Sequence, residues 1–179
     1  MVLIFCFAKL HSQSKFFSKV ELDFIVPNEI EYDYSIDNRG ALINLESKIS
    51  LALQYSINYN LFKKINFGLL TGLQHQYGAN FFLYKLGGRV QYQFDTTYNA
   101  YTYVHYAGNF TVDRDKFKNG NNIRLGVGIP IIKEINSTLN VFYDINHFNL
   151  SGAQPLVFGD EIPSSLFIRS YGISLGVKF

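Results

Sequence analysis

The chain has 179 residues, with 16 Lys and Arg against 14 Asp and Glu, for a formal net charge of +2. With so slight a surplus and no basic run, nothing points to a nucleic-acid partner, and no apolar run reaches the roughly 18 to 20 residues of a membrane-spanning helix. Aromatic residues are abundant, 13 Tyr and 17 Phe. Both types favour strands, and both gather at the interfaces of membrane barrels.

The chain begins MVLIFCFAKLHSQS, apolar from Val2 to Ala8 and then small and polar. This reads as the end of a secretory signal cut near Ser12 or Ser14, although it lacks a positive leading region. The expected division is a signal peptide over 1–14 and one β domain over 15–179. Cleavage would remove Cys6, the single cysteine, and with it any disulfide, thiolate chemistry or cysteine metal site. Phe5 stands before Cys6 where a lipoprotein would want a small residue.

Period-two alternation then predicts strand after strand. From Ser18 to Val26, Val20, Leu22, Phe24 and Val26 oppose Lys19, Glu21 and Asp23, and Pro27 ends the strand. Residues 28–43, rich in acids, read as a loop whose tyrosines extend the neighbouring strands at most. From Glu46 to Tyr59, Ile49, Leu51, Leu53, Tyr55 and Ile57 oppose Lys48, Ser50, Ala52, Gln54 and Ser56. Ile65–Tyr77, Phe81–Phe94 and Ala100–Phe110 follow, with Lys85, Arg89 and His105 on their polar faces. Asn122–Ile131 carries Arg124 on that face. Thr138–Leu150 carries Asp144, with Phe142 also on the polar side.

The last fourteen residues, LFIRSYGISLGVKF, close the chain. Tyr171, Ile173, Leu175, Val177 and Phe179 are large and apolar, interleaved with Gly172, Ser174, Gly176 and Lys178. Eight strands result, most of ten to fourteen residues, where globular strands average about 5 to 6. About nine to eleven residues tilted by ~45° cross a bilayer. Short turns at Leu61, Asp95 and Lys133 alternate with longer loops, as in membrane barrels.

The charges choose the face that meets lipid, because an Arg or Lys at midplane costs roughly 2 to 4 kcal/mol on a barrel's outer face. Lys19, Glu21, Asp23, Lys48, Lys85, Arg89, Arg124 and Asp144 all share the polar side, which predicts a lumenal charge network. Only Arg169 falls on the apolar face, near a strand end. A soluble lipocalin-like barrel would need the opposite order.

The closing strand resembles the C-terminal strand of Gram-negative outer-membrane barrels, and the layout resembles the small eight-stranded OmpA/OmpX-type barrels of the outer membrane protein β-barrel domain family. The resemblance implies an all-β, eight-stranded antiparallel up-and-down transmembrane β-barrel, exported to the outer membrane. It also implies that Tyr171, Ile173, Leu175, Val177 and Phe179 are the signal read by the barrel-assembly machinery. Lipid and lipopolysaccharide are the expected surroundings, and a monomer the expected state.

Candidate chemistry is sparse. An outer-membrane lipid A deacylase would be expected to place a Ser two residues beyond a His, and Asn149 stands there after His147. His75 and His147 lie toward strand ends, and His105 faces the lumen. Asp113, Asp115, Asn119 and Gly120 resemble a calcium loop, but Phe117 occupies a ligand position. No cofactor or metal is expected. The expected role is non-catalytic, structural or interactive through outer loops; a lipid-modifying or proteolytic barrel, or a narrow channel, is the alternative.

Overall fold

A computed structural model describes residues 15–77, 80–94, 99–112, 115, 117–132 and 134–179. The signal expected over 1–14, Cys6 included, lies outside the described residues. Nine strands form: β1 Phe16–Ile36, β2 Arg39–Asn44, β3 Ser50–Phe62, β4 Ile65–Gln76, β5 Phe81–Gln93, β6 Tyr101–Thr111, β7 Gly120–Ile132, β8 Ser137–Asn149 and β9 Ile162–Lys178. No helix occurs among the described residues.

β1 and β3 to β9 pair antiparallel in sequence order, and β9 returns to β1 from Lys19 opposite Lys178 to Ser35 opposite Ile162. This last pairing closes an eight-stranded barrel, so the wall has no free edge to satisfy. One end, here the turn end, holds Lys63 and Lys64 between β3 and β4, the β7–β8 connection, and Phe179. The other, the loop end, carries the β1–β2 hairpin and the β6–β7 and β8–β9 connections.

Alternation dictates the two faces. Leu22 and Phe24 on β1, Leu53 on β3, Leu69 on β4, Leu86 on β5, Val104 on β6, Val127 on β7, Val141 on β8 and Leu175 on β9 all point outward and are exposed. A continuous apolar girdle of this extent far exceeds the patches of water-soluble proteins. Between these residues, most inward neighbours are polar, charged or small, with Ile25, Leu70, Tyr103 and Phe142 large apolar or aromatic side chains among them.

Small residues inside leave space for rings. A Cβ on Gly126 would lie 2.5 Å from the Tyr103 ring, and one on Gly172 would lie 2.2 Å from that of Phe142. These glycines are sockets for aromatics on adjacent strands, and this is how Tyr103 and Phe142 fit in an interior that also holds arginines.

β1 departs from expectation. Pro27 does not end it: the register against β9 shifts by one residue between Pro27 and Glu29, and the strand runs on to Ile36. A bulge is where a sheet tolerates a proline, which lacks the ladder donor. The extra residue reverses the faces, so that Glu21, Asp23 and Ile25 point inward before it and Ile30, Tyr32 and Tyr34 after it. Residues 28–43, expected as a loop, instead complete β1 and turn through Asp37 and Asn38 into β2. Both turn residues have positive φ, 51° and 62°, as tight two-residue hairpins require and as Asn and Asp tolerate.

The outward face sets a first expectation. Leu53→Arg places a cation in the middle of the apolar girdle and lowers stability by about 2 to 4 kcal/mol, read by equilibrium unfolding in lipid bilayers. Unchanged stability would contradict a lipid-facing girdle.

Candidate functional site

The candidate site is the lumen, whose contents follow from which strand carries each inward charge. β1 supplies Lys19, Glu21 and Asp23; β5 Lys85 and Arg89; β7 Arg124; β8 Asp144, and all seven are buried. Arg124 donates through Nη1 to Asp23 at 2.6 Å and through Nε to Asp144 at 2.8 Å, tying β7 to its neighbour β8 and to β1 beyond β9. Arg89 donates to Glu21 at 2.6 Å, and Glu21 also takes the Lys19 ammonium at 2.9 Å and the Asn140 amide at 3.0 Å. Lys85 stands 3.8 Å from Asp144. Gln54 donates to Asp23 and Asn146 to Asp144.

Rings complete the packing. The Arg124 guanidinium lies 3.7 Å from the centroid of Phe142, and that of Arg89 4.5 Å from Tyr103. Both contacts let a planar cation keep an attractive neighbour where water is displaced. His105 is fully buried in register between Arg89 and Arg124.

Lys48 is the exception and a correction. β3 begins at Ser50, so Lys48 belongs to the connection before it, exposed and 3.3 Å from Glu46. Alternation carried the expected strand four residues too far, into a segment that has no strand partner. Arg169 lies on the outer face as expected, where the reversed parity of β1 brings Glu29 and Glu31 beside it, Glu31 at 2.9 Å. Tyr171, Ile173, Leu175 and Val177 line the outward face of β9, with exposed Phe179 just past its end, and β9 pairs with β1 on one edge and β8 on the other.

Toward the loop end the interior changes character, and the sequence reading missed this. Ile30, Tyr32, Phe81, Leu83, Phe148 and Leu166 form a buried apolar cluster, with Phe117 stacked on Phe81 at 4.0 Å. Phe117, considered above as an interloper in a calcium loop, is thus a core residue. The signal was present: in Phe81–Tyr84 and in Leu166–Ile168 alternation gives way to unbroken apolar runs, which mark strands apolar on both faces, Phe81 and Leu83 toward the interior and Phe82 and Tyr84 outward.

Glu161 closes this end. Its carboxylate is 2% exposed and accepts hydrogen bonds from the backbone N–H groups of Leu156, Val157, Phe158 and Gly159 at 2.7 to 2.9 Å. Tyr32 donates to it from β1 at 3.3 Å. Burial pushes the carboxyl up, but the backbone donors outweigh it and hold the group down at about 2. The β8–β9 loop is folded around this one anion.

The two other described histidines sit among rings on the outer face, His75 at 4.2 Å from both Tyr77 and Phe82, and His147 stacked on Phe167 at 4.2 Å.

Comparison with solved structures agrees with this architecture. The chain is similar to the outer membrane protein OprG from Pseudomonas aeruginosa, with TM-score 0.51, 13% identity, and coverage of 93% of this chain and 96% of that one. It is similar also to the outer membrane protein AlkL, determined in lipid bilayers, with TM-score 0.50, 13% identity, and coverage of 96% and 93%. No family model and no curated protein matches the sequence. The fold is that of the small eight-stranded outer-membrane barrels.

Two outcomes are expected from the buried charges. Asp23→Ala leaves Arg124 with Asp144 alone and lowers the free energy of unfolding by about 3 kcal/mol, measured by urea titration in detergent; a change below about 1 kcal/mol would be inconsistent with a buried pair. Glu161 has its folded carboxyl below the ordinary 4.5. The stability it gives the β8–β9 loop is therefore complete above pH 4.5 and is lost as pH falls toward 2. The protection factors of the Val157 and Gly159 amides, observed exchange against the intrinsic rate at each pH, should fall across that window in the native protein, and in Glu161→Gln they should already be low at neutral pH.

Proposed function

We propose that this barrel spans the outer membrane as a closed, non-conducting protein with no catalytic role, acting through the connections at its loop end, which face the cell exterior. The observation that supports this most strongly is that the lumen is filled twice over. Arg124, Arg89 and their carboxylate partners cross its middle, and the apolar cluster from Ile30 to Leu166 packs its loop end. An ion crossing would have to part a hydrogen-bonded charge network and then traverse a hydrocarbon-like stretch.

On this reading the protein is exported, and Tyr171, Ile173, Leu175, Val177 and Phe179 are what the barrel-assembly machinery engages before β9 closes on β1. Lipid and lipopolysaccharide surround the girdle, and the protein is a monomer.

The β1–β2 hairpin and the Glu161-anchored loop are the surfaces presented outward. Both are ordered by local devices, a two-residue turn in one and a coordinated carboxylate in the other. A surface held in one shape suits recognition of a partner.

Single-channel recording in planar bilayers is expected to show no steady conductance for the native protein. A sustained open level in that recording would overturn the closed-lumen reading. Membrane fractionation with heat-modifiable gel migration should place the folded protein in the outer membrane, and truncation of Phe179 should lower its amount there.

A further inference from the structure

At the turn end the lumen opens into a cup of about 810 Å³, within the range of about 300 to 1,000 Å³ that holds small ligands. Lys15, Lys19, Lys63 and Lys178 line it, and no Asp or Glu lines it among the described residues. Lys19 and Tyr101, both buried, form the floor, with the ammonium 2.8 Å from the phenol oxygen. Glu21, beneath, is 2.9 Å from Lys19 but also 2.6 Å from Arg89, so one carboxylate answers two cations. The charge beneath the floor does not offset the lysines of the rim.

The polar remainder of the cup has a definite chemistry. Asn60, Asn66, Gln91 and Asn136 present side-chain amides, which donate and accept. Thr138, 8% exposed, lines the same wall, and its hydroxyl has no hydrogen-bond partner among the described residues. Lys178 is held 4.0 Å over the Phe17 ring, which fixes a cation at the mouth.

We propose that this cup binds an anionic saccharide, a sugar bearing a carboxylate or phosphate. The anion meets the lysines, and the hydroxyls meet the amides and Thr138. A bare anion would satisfy the charge but leave most of the cup and its amides unused, and a neutral sugar would leave the lysines unanswered. The site depends only on the barrel fold, so it stands or falls separately from the conductance of the lumen and the role of the loops.

The test is a titration of the full chain in phosphatidylcholine nanodiscs, followed by backbone amide NMR, with trigalacturonate, glucose 6-phosphate, inorganic phosphate and maltotriose as probes. Saturable shifts at Asn60, Asn66, Asn136 and Thr138 are expected with either charged sugar, at concentrations where inorganic phosphate and maltotriose produce little. The combined variant Lys63→Gln with Lys178→Gln should lower affinity for the charged sugars about tenfold, as loss of two exposed ionic contacts implies. Arg39→Gln at the loop end should leave it unchanged, and heat-modifiable migration verifies that each variant is folded. Equal binding of inorganic phosphate would overturn the saccharide, and equal binding of maltotriose would overturn the anion. Undiminished affinity in the double variant, shifts confined to other residues, or no saturable shift with any probe would overturn the site itself.

Discussion

The middle of this lumen is too narrow to hydrate an ion, so each charge there must find its opposite close by, most of them at hydrogen-bonding distance. That constraint organises the middle of the molecule. Arg124 holds strands β1 and β8 together through Asp23 and Asp144, and Glu21 gathers Lys19, Arg89 and Asn140. Uncompensated, any one of these groups would carry the full desolvation penalty. An all-apolar interior would pack as well, but it would make each strand hydrophobic on both faces, with lipid already demanding the outer one. Polar alternation keeps every segment far from the continuous hydrophobicity of a spanning helix.

The loop end shows the other way to fill a barrel. Here the interior is hydrocarbon and aromatic, with Phe117 and Phe148 both packed on Phe81, and backbone N–H groups of the β8–β9 loop above it are satisfied by the Glu161 carboxylate. The two fillings divide the interior by height. Ionic cross-links tie distant strands together at the midplane, apolar packing seats the loops, and the remaining third toward the turns stays open and basic.

Much of this was legible in residue order. The alternation of β3, β7 and β9 fixed which face meets lipid, and seven of the inward charges could be named from parity alone. Parity fails where its premise fails. Pro27 reads as a stop because a proline cannot donate, yet a bulge removes the need for that donor. Lys48 continues the alternation of β3 but has no strand beside it, and pairing across strands is not written in a local pattern. Glu161 looked like any loop acid, since only the folded loop brings four N–H groups to one carboxylate.

The bulge after Pro27 has a broader consequence. Because it exchanges inner and outer faces halfway along β1, that strand obeys two different solvents in sequence, and a single residue keeps the accounts of both halves aligned. Without that bulge, an unbroken alternation through Asn28 would send Tyr32 and Tyr34 into the surroundings, draw Glu29, Glu31 and Asp33 inward, and deprive Arg169 of its carboxylates. The loop end of this protein is thus keyed to the turn end by a frame set at one position.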